Sequence, residues 1–498
     1  MMSRYLLSLL LILTFTVSVC ASEPSFDEVT LKGTLDGIPM HYINVQTRPH
    51  DEVDIKLDGL VDELIWQDVP FFDQMIVSVP GTGEPAYYPT ENRLLATEKV
   101  LYVSAVMYQP PETVVMRMSK RDDYIDRDTY AVTLDSTGHG EFAYWFIIAL
   151  GDTVMDGKVL PERRYTTDWD GPWLYKTARF DEGWSAETFY PWSMMSLPEK
   201  DGARDIGFAV ARQVSHTNER YYWPGHSYSS PQFVTALNTM RVEGVEPRQQ
   251  YSLIPYLSSV LDEARDDTET RGGIDLTWKP STMAELTLSV NPDFGAVEAD
   301  SVVLNLTAFE TFFPEKRLFF QEGNELFETT PRANNGRAMR ELTNENFATT
   351  SRRVYVTEFL PAPISLINTR RIGGTASQVT LPAGITPKKG ERDLPTELLG
   401  AVKLTGRIGN FRYGVVGAFE DDVEWQGSDT LGNPVGIDDE GRDFAAIRVS
   451  YEKSAVNRYA LGYMGTLVDG PIYDAAVHGL DWHYGTGDGR WALDLQLM

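Results

Sequence analysis

Cysteine is all but missing from this chain: the only one, Cys20, sits in an apolar N-terminal stretch. If that stretch is removed after Ala21, no thiol remains, and disulfides and thiolate metal centres are excluded. Long apolar runs are missing as well. Beyond Ala21 none approaches the ~20 residues of a membrane helix, so a helical membrane protein is excluded. Basic residues are scarce, 44 against 72 acids for a formal charge of -28. Such a surface repels phosphate backbones, and no nucleic-acid partner is expected. The seven histidines are scattered, and His478 and His483 face opposite sides of one strand, which argues against a zinc site. No nucleophile elbow, zincin helix or dinucleotide fingerprint occurs. The stretch "GDTVMDGK" misses the phosphate-loop spacing by one residue and has no Ser or Thr after its lysine.

What is present begins with a secretory pattern. In "MMSRYLLSLLLILTFTVSVCASEP", Arg4 supplies the positive region, Tyr5 to Val19 the apolar one, and Val19-Cys20-Ala21 a small-residue cleavage site. The sequence predicts a signal peptide over 1–21. Lipid anchorage at Cys20 is the alternative, but it wants a small residue where the branched Val19 stands. Residues 22–50 are polar, without a sustained period, and are expected to be a leader or linker. From 51 to 245, runs such as "VLYVSAVMY", "TYAVTLD", "FAYWFIIAL" and "DIGFAVARQV" alternate with period two between Gly, Pro and Asp turns, the pattern of a β-sandwich. Both faces of "FAYWFIIAL" are apolar or aromatic, so that strand is expected at the centre of a sheet. Trp66 and Trp145 are expected in the core.

Residues 246–498 alternate differently. In "AVKLTGRIGNFRYGVVGAF", Val402, Leu404 and Ile408 oppose Lys403, Thr405 and Arg407; after a Gly409-Asn410 turn, Phe411, Tyr413, Val415 and Phe419 continue the greasy side. Tyr459, Leu461, Tyr463 and Leu467 repeat the scheme, as do Trp491, Leu493, Leu495 and Leu497 against Asp494 and Gln496. Roughly ten-residue ribbons, short turns, longer acidic loops and an aromatic-rich greasy face are what lipid demands of a closed antiparallel barrel. A soluble sheet with one wet face shows the same period and stays open as the alternative.

Three stretches, "LDGLVDELIW", "DGPWLYKTARFDEGWSAETFYPWSMM" and "NPDFGAVEADSVVLNLTAFETFFPEKRLFFQEGNELF", resemble bacterial outer-membrane proteins in which a family 9-like carbohydrate-binding module precedes a β-barrel domain of unknown function. The similarity covers nearly everything after about residue 50. It implies an all-β chain, with an N-terminal β-sandwich over 51–245 and an antiparallel transmembrane β-barrel over 246–498. It also implies the outer membrane of a Gram-negative envelope, with the sandwich periplasmic or partly within the barrel mouth. Carbohydrate is the implied ligand, with a link to carbohydrate catabolism, and outer-membrane lipid and the barrel-assembly machinery are the implied partners. Similar proteins continue through more strands, whereas this chain stops at Met498 directly after an amphipathic strand. The barrel is therefore expected to be incomplete at its C-terminal end. A glycosidase, or a channel-forming barrel whose sandwich is a lid, stays the alternative; no catalytic pair can be picked among so many carboxylates, because their separation in space decides it.

Candidate site residues fall in three groups. In "YTTDWDGPWLY", Trp169 and Trp173 stand among Asp168 and Asp170 in a Gly-Pro turn. Ring faces there are expected to take the C–H patches of a sugar and the acids its hydroxyls, with capping of the sandwich core as the competing role for the indoles. Asp122, Asp123, Asp126 and Asp128 of "KRDDYIDRDTY" are candidate calcium ligands, set against plain solvated charge. No other cofactor is expected. Within 291–327, Thr307-Ala308-Phe309-Glu310 is a capping box for a short helix that Pro314 stops. Its charges, Glu310, Glu315, Lys316, Arg317 and Glu322, are expected to pair inside a barrel lumen, while Phe309, Phe312, Phe313, Phe319 and Phe320 pack on the wall. The segment would then be an inward plug; a loop packed on the sandwich is the rival.

Overall fold

A computed structural model describes residues 29–35, 38–140, 142–160, 164–167, 169–197, 202–223, 233–245, 250–262, 267–281, 284–292, 315, 317–321, 323–327, 329, 338–342, 352–356, 365–375, 379, 381–454, 457–486 and 491–498. The fold is all-β. Its first half is a sandwich of two sheets. One sheet runs in the order Val29–Leu35, Ile38–Asn44, Asn238–Val242, Arg204–Val214, Thr129–Asp135, Ala143–Ala149, Thr153–Leu160, Arg164–Thr166. The other runs Leu174–Phe180, Gly183–Pro191, Val100–Tyr108, Thr90–Ala96, Gln46–Thr47. The strand Ala143–Ala149 pairs on both sides, as its doubly apolar pattern requires. One of its faces, with Tyr144, Phe146 and Ile148, joins the main core; the other, with Ala143 and Trp145, packs under Phe233 and Leu237. Trp66 is also fully buried.

The linker expected over 22–50 is corrected for its described part. Val29–Leu35, Ile38–Asn44 and Gln46–Thr47 are strands, Ile38–Asn44 runs parallel to Asn238–Val242, and Ile43 and Val45 enter the core. The Asn238–Val242 partner of Ile38–Asn44 lies about 200 positions away in sequence, so local polarity said nothing about it. The predicted signal peptide lies outside the described residues.

The stretch "LDGLVDELIW" has a physical role. Glu187, fully buried on Gly183–Pro191, accepts from the backbone N–H of Asp58 and Gly59 and from Trp66 Nε1, at 3.3, 3.0 and 3.0 Å. Gly59 holds φ +87°, and a Cβ there would lie 2.5 Å from the Thr177 backbone, so only glycine fits the turn. Arg212 bridges the two sheets from the opposite side. Fully buried, it donates to Pro89 O, Thr90 Oγ1, Tyr108 O and Gln109 Oε1, and burial draws its pKa down to about 10.

The second half is a nine-stranded antiparallel sheet that follows chain order: Gln250–Asp262, Asp267–Ser281, Ala284–Val290, Leu398–Ile408, Phe411–Glu420, Asp443–Ser454, Arg458–Asp469, Ala475–Gly485 and Ala492–Leu497. Among the described residues its first and last strands are not paired with each other, so they form an open sheet and not a closed barrel. One face exposes Leu253, Leu257, Val415, Ile447, Leu461 and Leu495. The opposite face buries Lys403, Arg448, Glu452, Asp481 and His483. Polarity is thus inverted relative to a water-soluble sheet. No helix among the described residues is long and apolar enough to cross a membrane, which says nothing of strands.

Burial is the main cause that lifts the Glu187 carboxyl from 4.5 to about 7, with the Glu63 charge adding to it against the three hydrogen bonds it accepts. The folded protein therefore keeps this proton to about pH 7, whereas the unfolded chain releases it near 4.5. Its contribution to stability is complete below 4.5 and is lost as pH rises towards 7. Thermal melts of Glu187→Gln should lie below those of the parent and should lack this pH-dependent component; a parallel pH profile in the two proteins would contradict the assignment.

Candidate functional site

The acids named from the sequence do not share one place. Asp128 is buried, its carboxylate accepting from Gln109 Nε2 and from the N–H of Val115 and Ser215, which ties it to the sandwich interior. Asp123 and Asp126 are exposed. Only Asp122 converges with others, and its companions are Asp170, expected at a sugar site, and Asp156, which sequence reasoning missed. The three offer oxygens within 4.8 Å of one another. Asp122 sits at φ +62° and its Oδ1 accepts from the N–H of Asp156 at 3.1 Å. Asp156 itself is fully buried on Thr153–Leu160 and accepts from Gly171 N at 2.7 Å. Burial pushes its carboxyl up to about 6.

A cation already stands there. The Arg121 guanidinium contacts Asp156, donates to Asp170 at 2.8 Å and lies 3.8 Å from Asp122. Calcium wants six to eight oxygens around it; three carboxylates filled by a guanidinium do not fit that demand, and Asp123, Asp126 and Asp128 do not complete it. Asp122, Asp156 and Asp170 are therefore an arginine-centred ion cluster.

The two indoles are not standing proud. Trp169 is 8% exposed and Trp173 4%. Trp169 packs on Tyr144 at 4.7 Å between centroids, and Trp173 on Tyr175 and Phe146 at 4.6 and 5.3 Å. Gly171 lies so close that a Cβ would meet the Trp169 ring at 2.5 Å. Their faces are spent on the core, which corrects the expected sugar platform. Asp168 lies outside the described residues.

Aromatic and polar groups do meet at the surface elsewhere. Tyr124, 55% exposed, donates its hydroxyl to Gln213 Oε1 at 3.1 Å. The Gln213 amide donates in turn to Asp126, and Arg220 donates to it. An open ring face beside amide, carboxylate and guanidinium offers both donors and acceptors to a hydroxylated ligand.

On the polar face of the nine-stranded sheet lies the described part of the segment expected as a plug. Glu315 and Arg317 are buried and paired: Arg317 Nε and Nη2 donate to the two Glu315 oxygens at 2.8 and 2.7 Å, and Thr369 Oγ1 adds a bond at 2.7 Å. Arg317 also donates to Ile372 O and stands 4.4 Å over the Phe320 ring. Phe319 and Phe320 are buried in one cluster with Ala401, Val416, Ala446 and Met464 of the sheet. Three basic side chains from three strands then reach carbonyls of this segment: Lys403 that of Phe319, Arg448 that of Leu326, and His483 that of Thr329. Arg448 is held by Asp481 and His483 by Asp494. Gly414 leaves the room, since a Cβ there would meet Leu326 and Phe327 at 2.6 and 2.8 Å. Glu310, Lys316, Glu322 and the capping box lie outside the described residues; the helical turn that is described, Leu318–Gln321, follows Pro314.

A family described as a domain of unknown function (DUF5916) matches residues 247–332, less than a fifth of the chain. The chain is similar to a carbohydrate binding module family 9 from Caldicellulosiruptor kristjanssonii, solved in complex with cellotriose, at 16% identity and a TM-score of 0.31 over 41% of this chain and 95% of that one. The same module with glucose gives 16%, 0.29, 42% and 96% in the same order. A structure titled as a putative carbohydrate-binding protein from Bacteroides uniformis gives 12%, 0.33, 40% and 98%. At such scores the overlays fix neither a ligand nor a binding face. No curated protein matches the chain.

Removing the central cation tests the ion cluster. Arg121→Gln should destabilise the protein by about 3–5 kcal/mol, because it strands a buried carboxylate. The loss should shrink below pH 6, where Asp156 takes up a proton; chemical denaturation at pH 5 and pH 8 reads both effects, and a loss that does not depend on pH would count against this account.

Proposed function

We propose that the chain is an exported outer-membrane protein whose nine-stranded sheet faces lipid and whose periplasmic sandwich binds carbohydrate. The observation that carries the membrane reading is the inverted polarity of the sheet. In water, its greasy face would forgo roughly 25 cal/mol for every Å² of apolar surface left wet, while charges would be buried on the other face at a desolvation cost. Lipid as the outer solvent removes the first penalty, and the segment at 315–329 offsets the second. Lipid also requires partners for the edge strands Gln250–Asp262 and Ala492–Leu497.

Sidedness has its own support. Short connections, such as Gly409-Asn410, gather at one end of the sheet, and long ones, such as 421–442, at the other. Bacterial barrels keep short turns in the periplasm. Strand Gln250–Asp262 enters from the short-turn end, its Gln250 opposite Lys279, and Arg412, also at that end, lies 6.0 Å over the Phe142 ring of the sandwich. For carbohydrate, the support is the open Tyr124 face with Gln213, Asp126 and Arg220, whereas Trp169 and Trp173 are committed to the core. A link to carbohydrate catabolism follows if the bound glycan is a nutrient.

Expressed with its leader, the protein should stay in the outer-membrane pellet through a carbonate wash, and Ile447→Lys, mid-strand on the greasy face, should cost about 2–4 kcal/mol of stability in lipid. Release by carbonate would remove the membrane reading. On glycan arrays of the full chain, Tyr124→Ala should weaken binding about tenfold, or about 1.4 kcal/mol. Trp169→Ala should instead lower stability by about 3–5 kcal/mol; binding indifferent to Tyr124→Ala would move the glycan site elsewhere.

A further inference from the structure

Methionines of the sandwich fill its core, as Met75, Met107, Met155 and Met240 do. Met116 and Met118 do not: they are 50% and 66% exposed. The backbone that carries them is pinned. Val115 N donates to the Asp128 carboxylate and Val115 O accepts from Asp128 N, while Arg127 Nη1 donates to Arg117 O and Ser119 Oγ at 3.0 and 2.8 Å. Both side chains converge over the turn at Gly151, whose N–H is anchored on Thr177 Oγ1 at 3.0 Å. Met118 Sδ and Met116 Sδ lie 3.0 and 3.9 Å from the point where a Gly151 Cβ would stand, which puts the two sulfurs within about 7 Å of each other. Gly151 holds φ +95°, a conformation that keeps the space free of a side chain.

From this convergence we infer that Met116 and Met118 form a binding site for a soft monovalent metal ion, Cu(I), for which Ag(I) is a redox-inert stand-in. Thioethers are neutral, polarisable donors that select such an ion over hard ones. An ion held in line between the two needs its sulfurs about 4.6 Å apart, twice a metal–sulfur bond. Exposed, unbranched side chains with rotatable ends close that gap. Thr153 Oγ1 donates to Met118 Sδ at 3.8 Å, which steadies that thioether and leaves its second lone pair to a metal. Hard cations gain little here. Asp152, beside Gly151, is spent on Thr177 and Lys176, so Ca(II) meets no oxygen cage. Packing alone accounts poorly for the pair, because at least half of each side chain stays in water. The inference goes beyond the proposed glycan role and needs neither Tyr124 nor a membrane.

The test uses the full chain in non-ionic detergent and nitrate buffer free of chloride and thiols, titrated calorimetrically with Ag(I) after subtracting detergent alone. One Ag(I) per chain should bind. In the parent protein carrying isotope-labelled methionine methyl groups, two ε-methyl signals should shift together as that ion is added. Met116→Leu and Met118→Leu keep the apolar volume, and each should weaken Ag(I) about tenfold or more. Met498→Leu removes a comparably exposed thioether and should leave binding unchanged. Cu(I), kept reduced by ascorbate under nitrogen, should rank the variants in the same order, whereas any Ca(II) taken up by the acidic surface should not distinguish them. Absence of Ag(I) binding, methyl signals that do not move as a pair, or losses in Met116→Leu and Met118→Leu no greater than in Met498→Leu would each overturn the assignment, the last leaving an adventitious ion only. The methyl signals are read on the parent chain, so a variant that fails to fold leaves the test decisive.

Discussion

A buried charge has to be paired or hydrogen-bonded, and the inner face of the nine-stranded sheet is arranged around that requirement. Lys403, Arg448 and His483 come from three different strands, yet each finds a carbonyl on one incoming segment. The same need fixes the register. A one-residue slip would carry Lys403 to the greasy face and Leu404 to the carbonyls, losing a hydrogen bond to a charged group on one side and apolar contact on the other. Glycines at 414 and 462 belong to this arrangement: the first leaves room for Leu326 and Phe327, the second for the Arg448 guanidinium.

The sandwich obeys the same rule with a different outcome. Asp128, Glu187 and Arg212 are buried with their hydrogen-bonding capacity largely spent on backbone and amide groups, so they hold sheets and turns together. Asp156 is satisfied by Arg121 and Gly171. Acids whose oxygens are already engaged in this way make poor metal ligands, since a metal would have to replace those bonds. The exposed set at Tyr124 differs, because its ring stands largely in solvent. Commitment of oxygens and rings, rather than residue type, separates structure from binding here.

Alternation with period two was enough to find the sandwich strands and the greasy ribbons, because each strand displays its environment in its own residues. Depth was not legible. Trp169 and Trp173 sit in a polar turn, and what buries them, Tyr144, Phe146 and Tyr190, comes from strands before and after that turn. Asp156 was missed for the same reason: nothing local shows that Arg121, 35 positions earlier, points at it. Strand pairing across about 200 positions hid the first strands in what looked like linker. Part of the inner packing was legible, since the clustering of phenylalanine with Glu315 and Arg317 suits a surface that is greasy and polar at once.

The hold on segment 315–329 also weighs between a passage and a binding scaffold. A solute moving along the inner face from the short-turn end to the loop end would have to displace this segment. Displacement would strip Lys403 and Arg448 of these carbonyls and unseat Phe319 and Phe320, losing charge-assisted hydrogen bonds and apolar burial together. A channel therefore needs a stimulus that supplies replacement partners as the segment leaves. A scaffold that displays a sandwich at one end and loops at the other needs none, and rigid inner packing serves it directly, because ligand faces held on a fixed frame lose less conformational freedom on binding.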